Sequence, residues 1–208
     1  LGRAPPPCRP HPRYGASPMA RPITYDPELA LDRALDLFWT HGYRAVSVDD
    51  VVKGTGLNRH SLYARYGSKY GLFRAALGRY GQQAVGTVRD ILEGPGTPRQ
   101  RLQQLFALRD PEQADDFWCL MMERGCLGLR AASELRSTHP ELTEGTRAFE
   151  RLLVELLTEL VAEGQAQGDF KSARDAGSLA QILAGGFMSP LVLSPSAERN
   201  RAFLSLLD

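Results

Sequence analysis

The sequence predicts an all-α protein, with a small basic N-terminal helical bundle followed by a larger and more acidic one. Three observations predict it. Apolar residues recur at helical spacing from Asp26 onward, with no strand-like alternation. Residues suited to capping helices stand directly before several of these stripes. Charge is also segregated. Residues 51–89 carry Lys53, Arg59, Arg65, Lys69, Arg74, Arg79 and Arg89 with no Asp or Glu, whereas residues 90–208 hold eighteen acids against twelve bases. The formal net charge of +1 hides that contrast. A local run of cations free of acids is the footprint a polyanion binder needs. A composition of 43% hydrophobic and 24% charged residues excludes a wholly disordered or fibrous chain. Three cysteines are too few, and odd in number, for a disulfide framework.

The elements follow in order. Residues 1–25 read as a disordered leader rich in Pro and Arg, with Met19 a candidate for the natural start. Asp26 can cap a first helix with Pro27 at its first position, and Gly42 ends it. Ser47-Val48-Asp49-Asp50 is a capping-box-like start for a short second helix, stopped by Gly54 and Gly56. Asn58 can cap a third short helix through Leu62, Tyr63 and Tyr66, and Ser68 a fourth, longer one through Leu72, Phe73 and Tyr80. Gly94-Pro95-Gly96-Thr97-Pro98 is a strong break. Beyond it, helical stripes run over Leu102–Leu108, Phe117–Leu135, Pro140–Gly168, Ala176–Leu193 and Ala197–Leu207. The uncharged stretch Gly177–Ala197 contains Gln181, serines and two prolines, so it reads as a buried helix and not a membrane span.

Val46 to Phe73 is the informative stretch. Two helices of about two turns, joined by a turn containing Gly56, have the proportions of a helix-turn-helix. Val48, Val51, Val52, Leu57 and Leu62 supply the apolar seam. Arg59, His60, Ser61, Tyr63 and Arg65 are then available on the second helix, where long donors can reach base edges in a major groove.

The run VSVDDVV…GL…SLYARYGSKYGLFRAAL resembles the DNA-binding domain of the TetR family of bacterial transcriptional regulators, over Asp26 to Leu77. The resemblance implies a DNA-binding set of Ser47, Asn58, Arg59, His60, Ser61, Tyr63, Arg65 and Lys69. In it Ser47 and Tyr63 touch phosphates, Arg59, His60 and Ser61 face the bases, and Lys69 anchors the start of the fourth helix to the DNA backbone. Tyr66 stands at the family's usual Phe position and is expected as a core plug. Three residues depart from the pattern: His60 replaces a small residue, Tyr70 a frequent acid, and Arg65 a common His. The last two helices of the family form a two-fold dimer. The resemblance therefore assigns Leu179, Ile182, Leu183, Gly186, Phe187, Phe203 and Leu207 partly to a dimer interface.

Phe106, Trp118, Met121, Met122 and Cys126, with Phe117 nearby, are candidates for an apolar effector pocket, since Met and aromatic clusters suit an adaptable cavity. Ordinary core is the competing reading of each. Cys119 and Cys126 are expected to be buried, inert thiols rather than a redox sensor. The four histidines show no metal spacing, and neither a catalytic triad order nor a glycine-rich phosphate loop is present. No cofactor, metal or catalytic residue is expected. The expected organisation is a leader over 1–25, a helix-turn-helix DNA-binding domain over 26–80, and a ligand-binding and dimerisation domain over 81–208. The function expected is that of a cytoplasmic, homodimeric repressor that binds a palindromic double-stranded DNA operator and answers to a small, mainly apolar effector. The alternatives are an all-α carrier or enzyme with a vestigial DNA-binding module, and a regulator whose effector is a protein.

Overall fold

In the computed structural model, residues 26–108, 110, 114–188 and 202–208 are described, and all their regular structure is helical. The leader, Met19 and the stretch 189–201 lie outside the described residues. α1 (Pro27–His41) starts where Asp26 accepts the N–H groups of Glu28 and Leu29, and Gly42 ends it at φ +83°. α2 (Val48–Thr55) opens with the full capping box between Ser47 and Asp50, and closes on Gly56 in the left-handed region. α3 (Arg59–Tyr66) opens on Asn58, whose side chain accepts the Ser61 N–H, and closes on Gly67. α4 (Lys69–Leu92) begins after Ser68, which accepts the Gly71 N–H at 3.0 Å. Those starts and stops are the ones the local sequence dictates.

The described residues form two compact units. One contains α1, α2, α3 and α4 to Gln83, together with residues 127–143. Its core is Leu35, Phe38, Val46, Val51, Leu57, Leu62, Leu72 and Phe73, all nearly or wholly closed to solvent. Phe38 meets Phe73 edge-on at 5.1 Å, and Trp39 meets Tyr80 in the same way. Val48 and Val52, expected in the seam, are only half-buried at its edge.

The other unit contains the rest of α4, then α5 (Pro98–Ala107), α6 (Asp116–Arg124), most of α8 (Glu141–Gln167), α9 (Ala176–Met188) and the C-terminal 3-10 turn Ser205–Leu207. The α8 stripe buries Leu153, Leu156, Leu157, Leu160 and Val161. Arg101, almost buried, donates to the Leu92 carbonyl and to Glu163, whose carboxyl it holds below the usual range. No described helix is long and apolar enough to cross a membrane.

One expectation is corrected. The stripe Phe117–Leu135 is two helices, because Gly125 at φ +77° ends α6 and α7 (Leu127–Glu134) starts anew. The compact units part within α4, between Gln83 and Ala84, and α7 with the turn after it belongs to the helix-turn-helix unit.

Candidate nucleic-acid interface

α3 buries one side chain, Leu62. Arg59, His60, Tyr63 and Arg65 are exposed and Ser61 is half-exposed, on a helix with no acid. A helix that uses a single side chain for packing leaves the rest of its surface for something else. Leu62 is closed to solvent, as are Val51 and Leu57, and the turn is tightened by Thr55. The buried Thr55 hydroxyl donates to the Val51 carbonyl at 2.6 Å and accepts the Leu57 N–H at 3.1 Å. Sequence reading overlooked Thr55, although a hydroxyl just before Gly56 is a turn signal.

The expected contact residues divide by what they already do. Ser47 and Asn58 hold the two helix starts: Ser47 accepts the Asp50 N–H at 3.1 Å and donates to Asp50 at 2.6 Å, while Asn58 accepts the Ser61 N–H at 2.7 Å. Arg59 donates to Asp49 of α2 at 2.5 Å. Arg65 lies over the ring of Tyr66 at 5.7 Å, and Tyr66 is half-exposed rather than a buried plug. Tyr63, 47% exposed, stands clear of the core.

Lys69 is arranged differently from expectation. Its ammonium turns inward, donating to the carbonyls of Tyr43 at 2.9 Å and Val46 at 2.7 Å, 4.1 Å from the centre of the Tyr43 ring. Burial lowers its pKa, against the opposing pull of the Glu134 carboxylate. Two of its three donors thus hold the α1–α2 turn.

That turn is held from α7 as well. The Arg130 guanidinium donates to the Phe38 carbonyl at 3.0 Å and to that of Trp39, in the last turn of α1, where a cation is favourable. One turn further along α7, Glu134 accepts the N–H groups of Tyr43 at 3.3 Å and Arg44 at 2.8 Å. A methyl group at Gly42 would lie only 3.2 Å from that carboxylate. From α4, Tyr70 stacks on His139 at 3.5 Å and donates to Glu141 at 2.6 Å. Burial and that bond push the Tyr70 phenol up to about 12. These contacts are why residues 127–143 belong to the helix-turn-helix unit.

The effector and dimer candidates occupy the other unit, where many of them pack together. Trp118 is 1% exposed, with its ring 5.6 Å from that of Phe187. Phe106 stacks on Phe203 and meets Phe187 edge-on. Met121 and Cys119 are buried, while Met122 and Cys126 are half-buried. Leu179, Leu183, Gly186, Phe187 and Leu207 are likewise buried within the single chain, and Phe203 lies against Gly186. Of the expected dimer residues on α9, Ile182 alone faces outward, at 44%, beside the exposed Ser178, Gln181 and Gly185.

Comparison with known proteins gives two family matches. Residues 30–76 match the model of bacterial regulatory proteins of the tetR family, and residues 116–203 match that of the tetracyclin repressor-like C-terminal domain. The chain is 34% identical over 138 residues to an uncharacterized HTH-type transcriptional regulator, YezE of Bacillus subtilis (strain 168), covering 64% of this chain and 65% of YezE. It is 29% identical over 164 residues to the HTH-type transcriptional repressor ComR of Escherichia coli (strain K12), covering 78% of this chain and 76% of ComR. Among solved structures, a cysteine mutant of the TetR family regulator CifR, in complex with 26-bp double-strand operator DNA, superposes with a TM-score of 0.61 at 27% identity. That match covers 90% of this chain and 96% of CifR.

Proposed function

The chain belongs to the TetR family of helix-turn-helix transcriptional regulators, and we propose that it is a cytoplasmic repressor that binds a palindromic operator as a homodimer and releases it on binding a small, mainly apolar effector. The observation that carries the reading is α3, which spends only Leu62 on packing and presents Arg59, His60, Ser61, Tyr63 and Arg65 without a single acid. Arg59, His60 and Ser61 read base edges, and Tyr63 and the helix N-termini with their caps Ser47 and Asn58 meet phosphates. Arg65 adds charge at the end of the helix. Lys69 acts on DNA through the turn it holds. One such helix buries too little surface for specific binding, so two copies act together. They meet through the α9 face that carries the exposed Ile182, backed by the buried Leu179, Leu183, Gly186, Phe187 and Leu207 and the half-buried Phe203. The effector enters beside Trp118, Met121, Met122, Phe106 and Cys126, prising apart a packed aromatic cluster, and so favours the chain conformation that spaces the recognition helices wrongly.

Footprinting of the purified protein on DNA upstream of its own gene tests this. An inverted repeat with half-site centres about 34–36 Å apart, or a multiple of that, is expected. Affinity should fall steeply with salt as phosphate counterions are released. An asymmetric footprint made by a monomer refutes the dimeric reading. Arg59→Ala should cost about 1–3 kcal/mol at particular base pairs, and a uniform loss over all sequences would refute its base-reading role.

A further inference from the structure

We infer that Asp49 is a specificity-determining residue of the operator-reading surface, fixing the guanidinium of Arg59 for a guanine and selecting against other DNA; this rests on the reading of Arg59 as a base contact. Asp49 is the second residue of α2 and Arg59 the first of α3. Their side chains pair at 2.5 Å and are 62% and 59% exposed respectively. An exposed ion pair of this kind adds little to folding stability. Its carboxylate, moreover, stands on the face that receives a polyanion, where it repels phosphates and weakens binding to any sequence. A residue that contributes little to the fold and opposes unspecific binding is suited to discrimination.

The neighbouring acid has a different task. Asp50 is held by Ser47 through its N–H at 2.9 Å and its hydroxyl at 2.6 Å, closing the cap of α2. No Asp or Glu other than these two lies between Tyr43 and Tyr66. Asp49 is therefore the one carboxylate of this stretch not spent on a cap, and its contact is with the recognition helix.

The chemistry is that of a fork with two usable edges. The guanidinium of Arg has five donors in one plane, and only one terminal nitrogen faces Asp49. The contact limits rotation of the plane and leaves donors for the O6 and N7 acceptors of guanine. The second carboxylate oxygen of Asp49 can accept the amino group of an adjacent cytosine. A half-site with guanine at the Arg59 position is bound by the pair as a unit. At any other base Arg59 loses the paired O6 and N7 acceptors that guanine alone presents, while Asp49 keeps its repulsion.

The experiment compares operators carrying every single-base change in a half-site, and an unrelated duplex, using full-length protein with Asp49→Asn, Asp49→Ala, Asp49→Glu, Arg59→Ala and the Asp49→Ala/Arg59→Ala pair. Melting temperature and helical content serve as checks that each variant is folded. Asp49→Asn should bind the unrelated duplex several-fold more tightly and lose about ten-fold in discrimination at the same base pair as Arg59→Ala. Asp49→Glu should recover part of it, and the double variant should discriminate no worse than Arg59→Ala alone. If Arg59→Ala loses discrimination while Asp49→Asn keeps the wild-type base preference, the inference about Asp49 is wrong. If Arg59→Ala also keeps every base preference, the reading of Arg59 fails and the inference fails with it.

Discussion

Replacing Glu134 with Ala should loosen the α1–α2 turn. The carboxylate accepts two backbone N–H groups, Arg44 at a short 2.8 Å and Tyr43 at a longer 3.3 Å. Hydrogen bonds to a charged group contribute about 1.5–3 kcal/mol each. The Arg44 contact is exposed, so water replaces much of it, and the Tyr43 bond is weak in length. Together they are worth about 2 kcal/mol. Locally, that is about a thirty-fold rise in amide exchange at Tyr43 and Arg44. Globally, a chain of this size should lose roughly 4–8 °C in melting temperature. Hydrogen exchange read residue by residue is the decisive assay, because it reports the turn itself. Glu134→Gln keeps a carbonyl acceptor and should show a smaller loss. Unchanged exchange at both amides, with a melting temperature within about 1 °C of wild type, would refute the reasoning.

Ser47→Ala removes the acceptor at the start of α2 and should cost about 1 kcal/mol. The hydroxyl also holds the Asp50 carboxyl below its usual pKa, so this stabilisation is present above the ordinary carboxylate pKa and is lost as pH falls through the lowered one. The variant should therefore lose less stability than wild type on acidification below about pH 4, and an identical acid limb by thermal melting would contradict the assignment. Tyr70→Phe addresses the opposite end of the scale. Because the folded phenol titrates near 12 rather than 10.0, its contribution is complete below pH 10 and disappears as pH rises towards 12. The variant should flatten that alkaline decline, and a decline as steep as that of wild type would count against it. Gly186→Ala would put a methyl group 2.7 Å from the Phe203 ring, and the forced shift should cost about 1–3 kcal/mol; full stability by denaturant unfolding would show that the ring is not seated there.

The legible features were those decided within a few residues. Asp26, Ser47 and Asn58 cap the helices they precede, and Gly42, Gly56 and Gly67 end the helices they follow, because caps and left-handed turns depend on local backbone geometry. The solvent-facing residues of α3 were legible because Leu62 alone on that helix fits the seam. What could not be read is what depends on chain brought from far away. Lys69 reads as an anchor to the DNA backbone because nothing in its neighbourhood announces that the Tyr43 and Val46 carbonyls lie within reach. Glu134 and Arg130 are separated from their partners by about ninety residues. An i, i+4 Arg–Glu pair on a helix reads as a solvated face until its partners are known. The apolar stripe reads as continuous through Gly125, because one glycine inside an apolar period gives no sign of whether the helix continues or turns. Nor does sequence distance give a hint that the rings of Trp118 and Phe187, the one expected at an effector pocket and the other at a dimer interface, meet.

The helix-turn-helix unit is assembled from two stretches of chain, 26–83 and 127–143. A graft that moves only the first stretch onto another protein would carry off the acceptors at Phe38 and Trp39 and the amides of Tyr43 and Arg44 without Arg130 and Glu134 to answer them. Water would fill some of those places, but the last turn of α1 would lose the cation at its negative end. Swaps between relatives should therefore succeed when residues 38–44 and 130–134 come from the same parent and fail more often when they do not. Inheritance is constrained in the same way: a change of charge at position 134 has to be answered in the α1–α2 turn, far away in the gene but adjacent in the protein.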